Sequence, residues 1–307
     1  MALVFECFLT NRINALSYLI GDDAVGVAAV FDPSADVDCY LQLACEKQVQ
    51  ITHIFETHSH VGFVSSAREL CARVKSAKIF LSHEGGAEYD FDHEAIKDGD
   101  IFTFGSVLVT VRHTPGHTPE HVAYLLSEKN HPAAPWGVLT GDSLCVGSVG
   151  HPGHLVNGQG RKLAKQQFHT LCDFYRKLND SVLVYPAHGS CLSCSGAIGQ
   201  RLWSTMGYEW RFNPFLHFFD VTRFTDYFLA SIEEGVLEGK QVYVTNGEDN
   251  TVRFLDVDRM TPLRIIPVGQ YPHGLRPIFD GKYDFVANIK SNTLSVIDTA
   301  CNTKIAV

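Results

Sequence analysis

The stretch Ile51-Thr-His-Ile-Phe-Glu-Thr-His-Ser-His60 does most to limit the folds open to this chain. Residues Ile51 to Thr57 are mostly β-branched or apolar and read as a buried strand. His58 and His60 follow where that strand should end. In open α/β sheets, ligands and metals sit in the crevice beyond the carboxyl ends of the strands. Two histidines one residue apart can point into such a crevice from a single loop. Alone, a pair of this kind is more often two solvated loop histidines. Three downstream segments supply partners for it.

Those segments are Thr114-Pro-Gly-His-Thr-Pro-Glu-His121, Leu139-Thr-Gly-Asp-Ser143 and Tyr185-Pro-Ala-His-Gly189. Each sets a His or Asp beside Gly or Pro at the end of an apolar run. With Thr57-His-Ser-His60 they make four ordered motifs, and the chain resembles the metallo-β-lactamase superfamily over roughly residues 1–230. The resemblance implies an α/β fold, the αββα sandwich, with a metal at the sheet edge.

At 307 residues the chain suits one large domain and a small one, divided here as 1–238 and 239–307. Hydrophobic content of 45% and charged content of 19% describe a globular protein. A net charge of −9 argues against nucleic-acid and anionic-membrane partners. No apolar run reaches the roughly 18 residues of a spanning helix. Met1 to Glu6 lacks the pattern of a secretion signal. Nine scattered cysteines then read as free thiols in a reducing cytoplasm.

Residues 3–9 and 17–31 read as antiparallel strands ending in the turn Phe31-Asp-Pro33. Helices are expected over 35–49, with Leu41, Leu43 and Ala44 inward, and over 63–74 and 162–178. Strands are expected over 51–57, 78–81, 102–112, 122–126, 136–140 and 182–185. Alternation of this kind indicates a sheet covered by helices. Beyond Gly239 the pattern changes. Val242-Tyr-Val-Thr-Asn246 matches Asp284-Phe-Val-Ala-Asn288, and Asn250 to Asp256 matches Asn292 to Asp298, at a period of 42 residues. Such a period is typical of propeller blades, and the segment resembles the repeats named for Tyr-Val-Thr-Asn. A propeller closes with about four to eight blades, so fewer than two cannot close one. An independent β-meander is the other reading. Val242, Val244, Val252, Phe254, Val286, Leu294, Val296 and Ile297 include enough apolar residues for at least one blade-like sheet. Unpaired edges there would pack on the sandwich or drive homo-oligomer formation.

The superfamily pattern is Thr-His-x-His-x-Asp-His. Here Gly62 replaces the Asp and Phe63 the last His, and neither side chain ligates a metal. Those positions serve the second metal in the family, so one metal per chain is expected. His58, His117 and Asp142 remain as ligands. Two imidazoles and a carboxylate match the facial triad of non-haem Fe(II) oxygenases, and zinc fits the same donors.

Further segments resemble the persulfide dioxygenase branch: Phe55 to His58, His113 to His121, Leu139 to Gly147 and Ser204-Thr-Met-Gly-Tyr-Glu-Trp-Arg-Phe-Asn-Pro214. That branch implies Fe(II) on His58, His117 and Asp142, and oxidation of glutathione persulfide by O2 to sulfite and glutathione. The chain departs from the branch after Asp142, where Val146 to His154 lacks two expected Asp and an Arg. His60 is either a fourth ligand or a pocket residue. His188 is a substrate-facing or ligand-orienting residue, or a structural one. Tyr208 and Arg211 fall where relatives line the thiol pocket, and Arg211 suits a glutathione carboxylate or plain solvent. His121, His151 and His154 are expected not to ligate. Cys191 and Cys194 have redox spacing outside a thioredoxin-like context. The competing functions are a zinc thioester hydrolase of the glyoxalase II kind and a degenerate sandwich without activity.

Overall fold

Residues Leu3–Thr10 (β1), Ala15–Asp22 (β2), Val27–Phe31 (β3), Gln50–Phe55 (β4), Lys78–Ser82 (β5) and Glu94–Ile96 (β6) form one six-stranded sheet in sequence order. Its first three strands are antiparallel, and β3 to β6 run parallel. The structure is a computed structural model, and it describes residues 3–10, 13–34, 36–60, 64–151, 159–189, 201–229, 241–256, 261–277, 283–298 and 303–306. Gly62, Phe63, His154, Cys191, Cys194 and the expected boundary at 238/239 lie outside them. The second sheet holds Ile101–Phe104 (β7), Val107–His113 (β8), Val122–Glu128 (β9), Gly137–Gly141 (β10), Leu183–Pro186 (β11) and Ser204–Thr205 (β12), in the order β12-β11-β10-β9-β8-β7.

Successive strand residues point to opposite faces, and this sorts β3 cleanly. Ala29 and Phe31 join the core between the sheets, with Leu16, Tyr18, Phe55, Val109, Tyr124 and Leu139. Ala28 and Val30 face the other way, toward helices Val37–Glu46 (α1) and Ala67–Arg73 (α2). Val138 and Val184 of the second sheet back onto Ala164, Phe168 and Leu171 of helix Gly160–Asp173 (α3). Three apolar layers therefore lie between four structural ones, which is the expected αββα order.

In α1, Asp36 caps the first turn by accepting from Asp38 N. Its buried residues are Val37, Tyr40 and Ala44, so the inward face leads with Tyr40, and Leu41 and Leu43 pack at its margin. The expected single strand at 102–112 is two strands. Gly105 turns the chain with φ +60, and a Cβ there would lie 2.4 Å from Asp22 Oδ2. The Asp22 carboxylate accepts from both Ser106 N and Ser106 Oγ at 2.7 Å, which fixes the turn.

Contacts divide the chain into two compact units, Met1–Ile232 and Glu233–Val307. The second holds an antiparallel sheet of Gln241–Asn246 (β13), Thr251–Asp256 (β14) and Thr261–Pro267 (β15). A second antiparallel sheet holds Pro272–Pro277 (β16), Tyr283–Asn288 (β17), Thr293–Asp298 (β18) and Thr303–Ala306 (β19). The repeat read in the sequence is a repeated hairpin. Asn246 pairs with Thr251 as Asn288 pairs with Thr293, and Asn250 and Asn292 both turn with positive φ. Val252, Ile266, Val286 and Ile297 are buried together. Val244 and Leu294 are exposed, on the outward phase of their strands. Among the described residues the two sheets are open, and no propeller closes. No helix of the described residues is long and apolar enough to cross a membrane.

Candidate metal centre

Strand β4 ends at Phe55, and the next three residues deliver His58 to the sheet edge. His58 is buried, with Nε2 3.5 Å from Asp142 Oδ2. Its Nδ1 lies 2.9 Å from Thr57 Oγ1. That hydroxyl donates to Asp32, whose Oδ1 also takes Thr57 N at 2.7 Å. With the hydroxyl proton committed to Asp32, the His58 ring donates from Nδ1. Its Nε2 lone pair is left facing Asp142.

His117 sits on the loop between β8 and β9. Its Nδ1 donates to His151 O at 2.7 Å, and its Nε2 lies 3.6 Å from Asp142 Oδ2. Asp142 follows β10, where β10 pairs in parallel with β11. Its Oδ1 accepts from His188 Nδ1 at 2.6 Å, and its backbone N–H donates to His121 Nε2 at 3.1 Å. His121 Nδ1 in turn meets Thr114 Oγ1 at 2.8 Å, so this ring is consumed in holding Asp142.

Burial pushes the His58 imidazole down to about 4, and the His60 charge adds to the effect. Burial likewise lowers His117, and lowers His121 strongly. Burial alone would raise Asp142, yet the charge and hydrogen bond of His188 hold its carboxyl well below the usual range. Two neutral imidazoles and one carboxylate, each fixed by a hydrogen bond on its far side, are in the state a divalent metal requires. The three ligand atoms lie within 4.8 Å of one another, so the residues present fit a metal ion.

Asp32, Glu56 and His60 form a second group of three that meets the same distance test among the described residues. His60 Nε2 lies 3.0 Å from Glu56 Oε2 and 3.2 Å from Asp32 Oδ1. Burial would lower this imidazole, but hydrogen bonds and charges from the two carboxylates raise it to about 10. The group is an internal ion pair, with Ser65 Oγ also donating to Glu56. His60 belongs to this group and not to the His58, His117 and Asp142 set.

In the structure His58, His117, Asp142 and His188, all singled out in the sequence, converge at the sheet edge. The sequence reading overlooked Asp32, Glu56, Thr57 and Glu120, whose Oε1 takes Ser59 N at 3.0 Å and ties the two His loops. Asp32 stood in plain view in Phe31-Asp-Pro33, but only as a turn residue. Tyr208 and Arg211 lie on helix Met206–Phe212 (α4). Arg211 pairs with Asp180 at 3.8 Å, both largely exposed, while Arg201 lies over the Tyr208 ring and Phe212 meets that ring at a tilt.

A two-sheet sandwich with this donor set at its edge defines a metallo-β-lactamase-type protein. The chain is similar to a solved metallo-β-lactamase from Staphylococcus aureus, with 30% identity, a TM-score of 0.68, 76% of this chain and 72% of that one covered. It belongs to the metallo-β-lactamase superfamily. Among curated proteins it is 30% identical over 180 residues to the human mitochondrial persulfide dioxygenase ETHE1, covering 56% of this chain and 63% of that one. It is 26% identical over 181 residues to the hydroxyacylglutathione hydrolase of Dictyostelium discoideum, covering 59% and 63%. The chain thus spans less than two thirds of the length of either relative. No family model matches it.

Proposed function

We propose that this chain is a mononuclear non-haem iron persulfide dioxygenase, oxidising glutathione persulfide with O2 to sulfite and glutathione. One observation carries the reading. His58, His117 and Asp142 form a single triad, while His60 is engaged by Asp32 and Glu56. Two imidazoles and one carboxylate leave open positions for substrate and O2. Fe(II), when bound, supplies the O2 chemistry that redox-inert zinc lacks. The protein's own part is orientation. Asp32 acts through Thr57 on His58, the His151 carbonyl acts on His117, and His188 acts on Asp142.

His188 borders the open side of the triad in this reading and faces the persulfide. Tyr208 and Arg211 serve as outer contacts for the glutathione moiety. Arg211 would exchange its exposed pairing with Asp180 for a glutathione carboxylate, and exposed pairs of this kind hold weakly, at roughly 0–1 kcal/mol.

A second reading rests on the similarity to hydroxyacylglutathione hydrolases, at 26% and 29% identity. In it the same triad holds zinc and the chain cleaves a glutathione thioester. An oxygen electrode separates the two. Iron-loaded protein is expected to consume O2 in the presence of glutathione persulfide. No uptake beside rapid hydrolysis of a glutathione thioester reverses the ranking. Neither reaction favours a degenerate sandwich.

A further inference from the structure

Helix α4 carries one buried acid, Glu209, which is fully inaccessible to solvent and is not among the metal donors. Its Oε2 accepts from Gly147 N at 2.8 Å, from 62 residues away in the chain. The same oxygen accepts from Asn213 Nδ2 at 2.9 Å, and Asn213 Nδ2 also donates to Ser148 O at 2.9 Å. Two side chains from one short helix and its C-cap therefore grip the loop that follows Asp142.

That loop reaches both of the downstream metal donors. Cys145 and Ser148 close a tight turn through reciprocal backbone hydrogen bonds. Gly150 N then donates to Asp142 O at 2.8 Å. His151, the next residue, offers the carbonyl that takes the His117 Nδ1 proton. The His151 ring stacks on Phe228 at 4.8 Å, which pins its far side.

We propose that Glu209 and Asn213 are positioning residues for the metal centre, acting through Gly147, Ser148 and the His151 carbonyl on the orientation of His117 and Asp142. The inference rests on the metal reading of the triad and is independent of which reaction the centre performs. An apolar residue at position 209 would pack in the same core, so burial alone does not require an acid there. What it would lose is the acceptor for the Gly147 amide, and with it the fixed distance between α4 and the loop. Partners bonded directly to metal ligands are worth roughly 10- to 100-fold in metal affinity, and Glu209 acts one link further out, so its effect falls at or below the lower end of that range.

The test uses the full chain loaded with Co(II), whose visible bands report ligand geometry whatever the reaction. Glu209→Leu is expected to shift those bands and to speed cobalt release to a chelator by up to roughly 10-fold. Glu209→Gln keeps an oxygen for the Gly147 amide and is expected to restore wild-type bands and release. Phe224→Leu, in the same apolar cluster, controls for general loosening. If Glu209→Leu releases cobalt no faster than Phe224→Leu and its bands are unshifted, the positioning role is wrong. Should Glu209→Leu not fold, Asn213→Ala carries the test, since it removes the donor to Ser148 and keeps the acid. A wild-type chain that takes up no cobalt overturns the metal centre and this role together, whereas an inactive chain with normal cobalt bands overturns only the reaction.

Discussion

Asp142 divides its two oxygens between unlike neighbours: Oδ1 accepts from His188 at 2.6 Å, while Oδ2 stands 3.5 Å from His58 and 3.6 Å from His117. One oxygen is therefore anchored, and the other is aimed between two imidazole nitrogens. The carboxylate is the pivot of the site.

Asp142→Ala is expected to take metal content from one equivalent per chain to none. The fold should persist, because the side chain lies at the sheet edge and outside the three apolar layers. Elemental analysis beside circular dichroism checks both statements. Two tightly held equivalents in the wild-type chain would contradict the single-triad reading.

Gly150→Ala should damage the site without replacing a donor. A Cβ at Gly150 would lie 2.0 Å from Asp142 O and 3.0 Å from His117 Nδ1. The first contact is with backbone and cannot be relieved by a rotamer change. Overpacking of this kind costs about 1–3 kcal/mol. Denaturant melts of the metal-free protein should show that loss, and chelator competition should show weakened metal binding.

His60→Leu should be far more destabilising than an ordinary core substitution. It leaves the buried carboxylates of Asp32 and Glu56 facing each other without the imidazolium. Breaking a buried pair by removing one partner costs about 3–5 kcal/mol. The double substitution Glu56→Leu with His60→Leu should recover part of that loss, which a double-mutant cycle would measure. A strictly additive cycle would dissolve the ion-pair reading.

The Asp22 turn predicts a pH dependence. Hydrogen bonds from Ser106, and then from Ala24 N, hold its carboxyl below its ordinary value of 3.8. A lowered folded value means that stability is gained above the unfolded value and lost as pH falls through the folded one. Asp22→Asn should therefore be less stable than wild type at pH 7. Its deficit against wild type should shrink as pH drops below about 4, as urea midpoints across that range would show.

Much of this was legible in the residues. Apolar and β-branched runs marked most of the strands, and Gly beside His117, Asp142 and His188 marked three of the loops that converge. The 42-residue repeat was legible because hairpin register repeats with it. Other features had no local signal. The break at Gly105 depends on Asp22, which comes from a strand of the other sheet. The roles of Asp32 and Glu209 depend on hydrogen bonds to residues 25 and 62 positions away. A turn Asp and a helical Glu look the same in sequence whether they bind solvent or hold a ligand loop. Tyr208 and Arg211 drew notice on α4 because aromatic and cationic residues suggest binding, while the acid between them turned inward.

The contact between Gly150 and Asp142 ties two kinds of motion together. The Gly150 amide proton is held by the backbone of a metal donor, and the next carbonyl holds another donor. The amide cannot reach solvent while both donors stay in place. Its hydrogen-exchange rate is therefore a clock for opening of the centre, readable without any substrate.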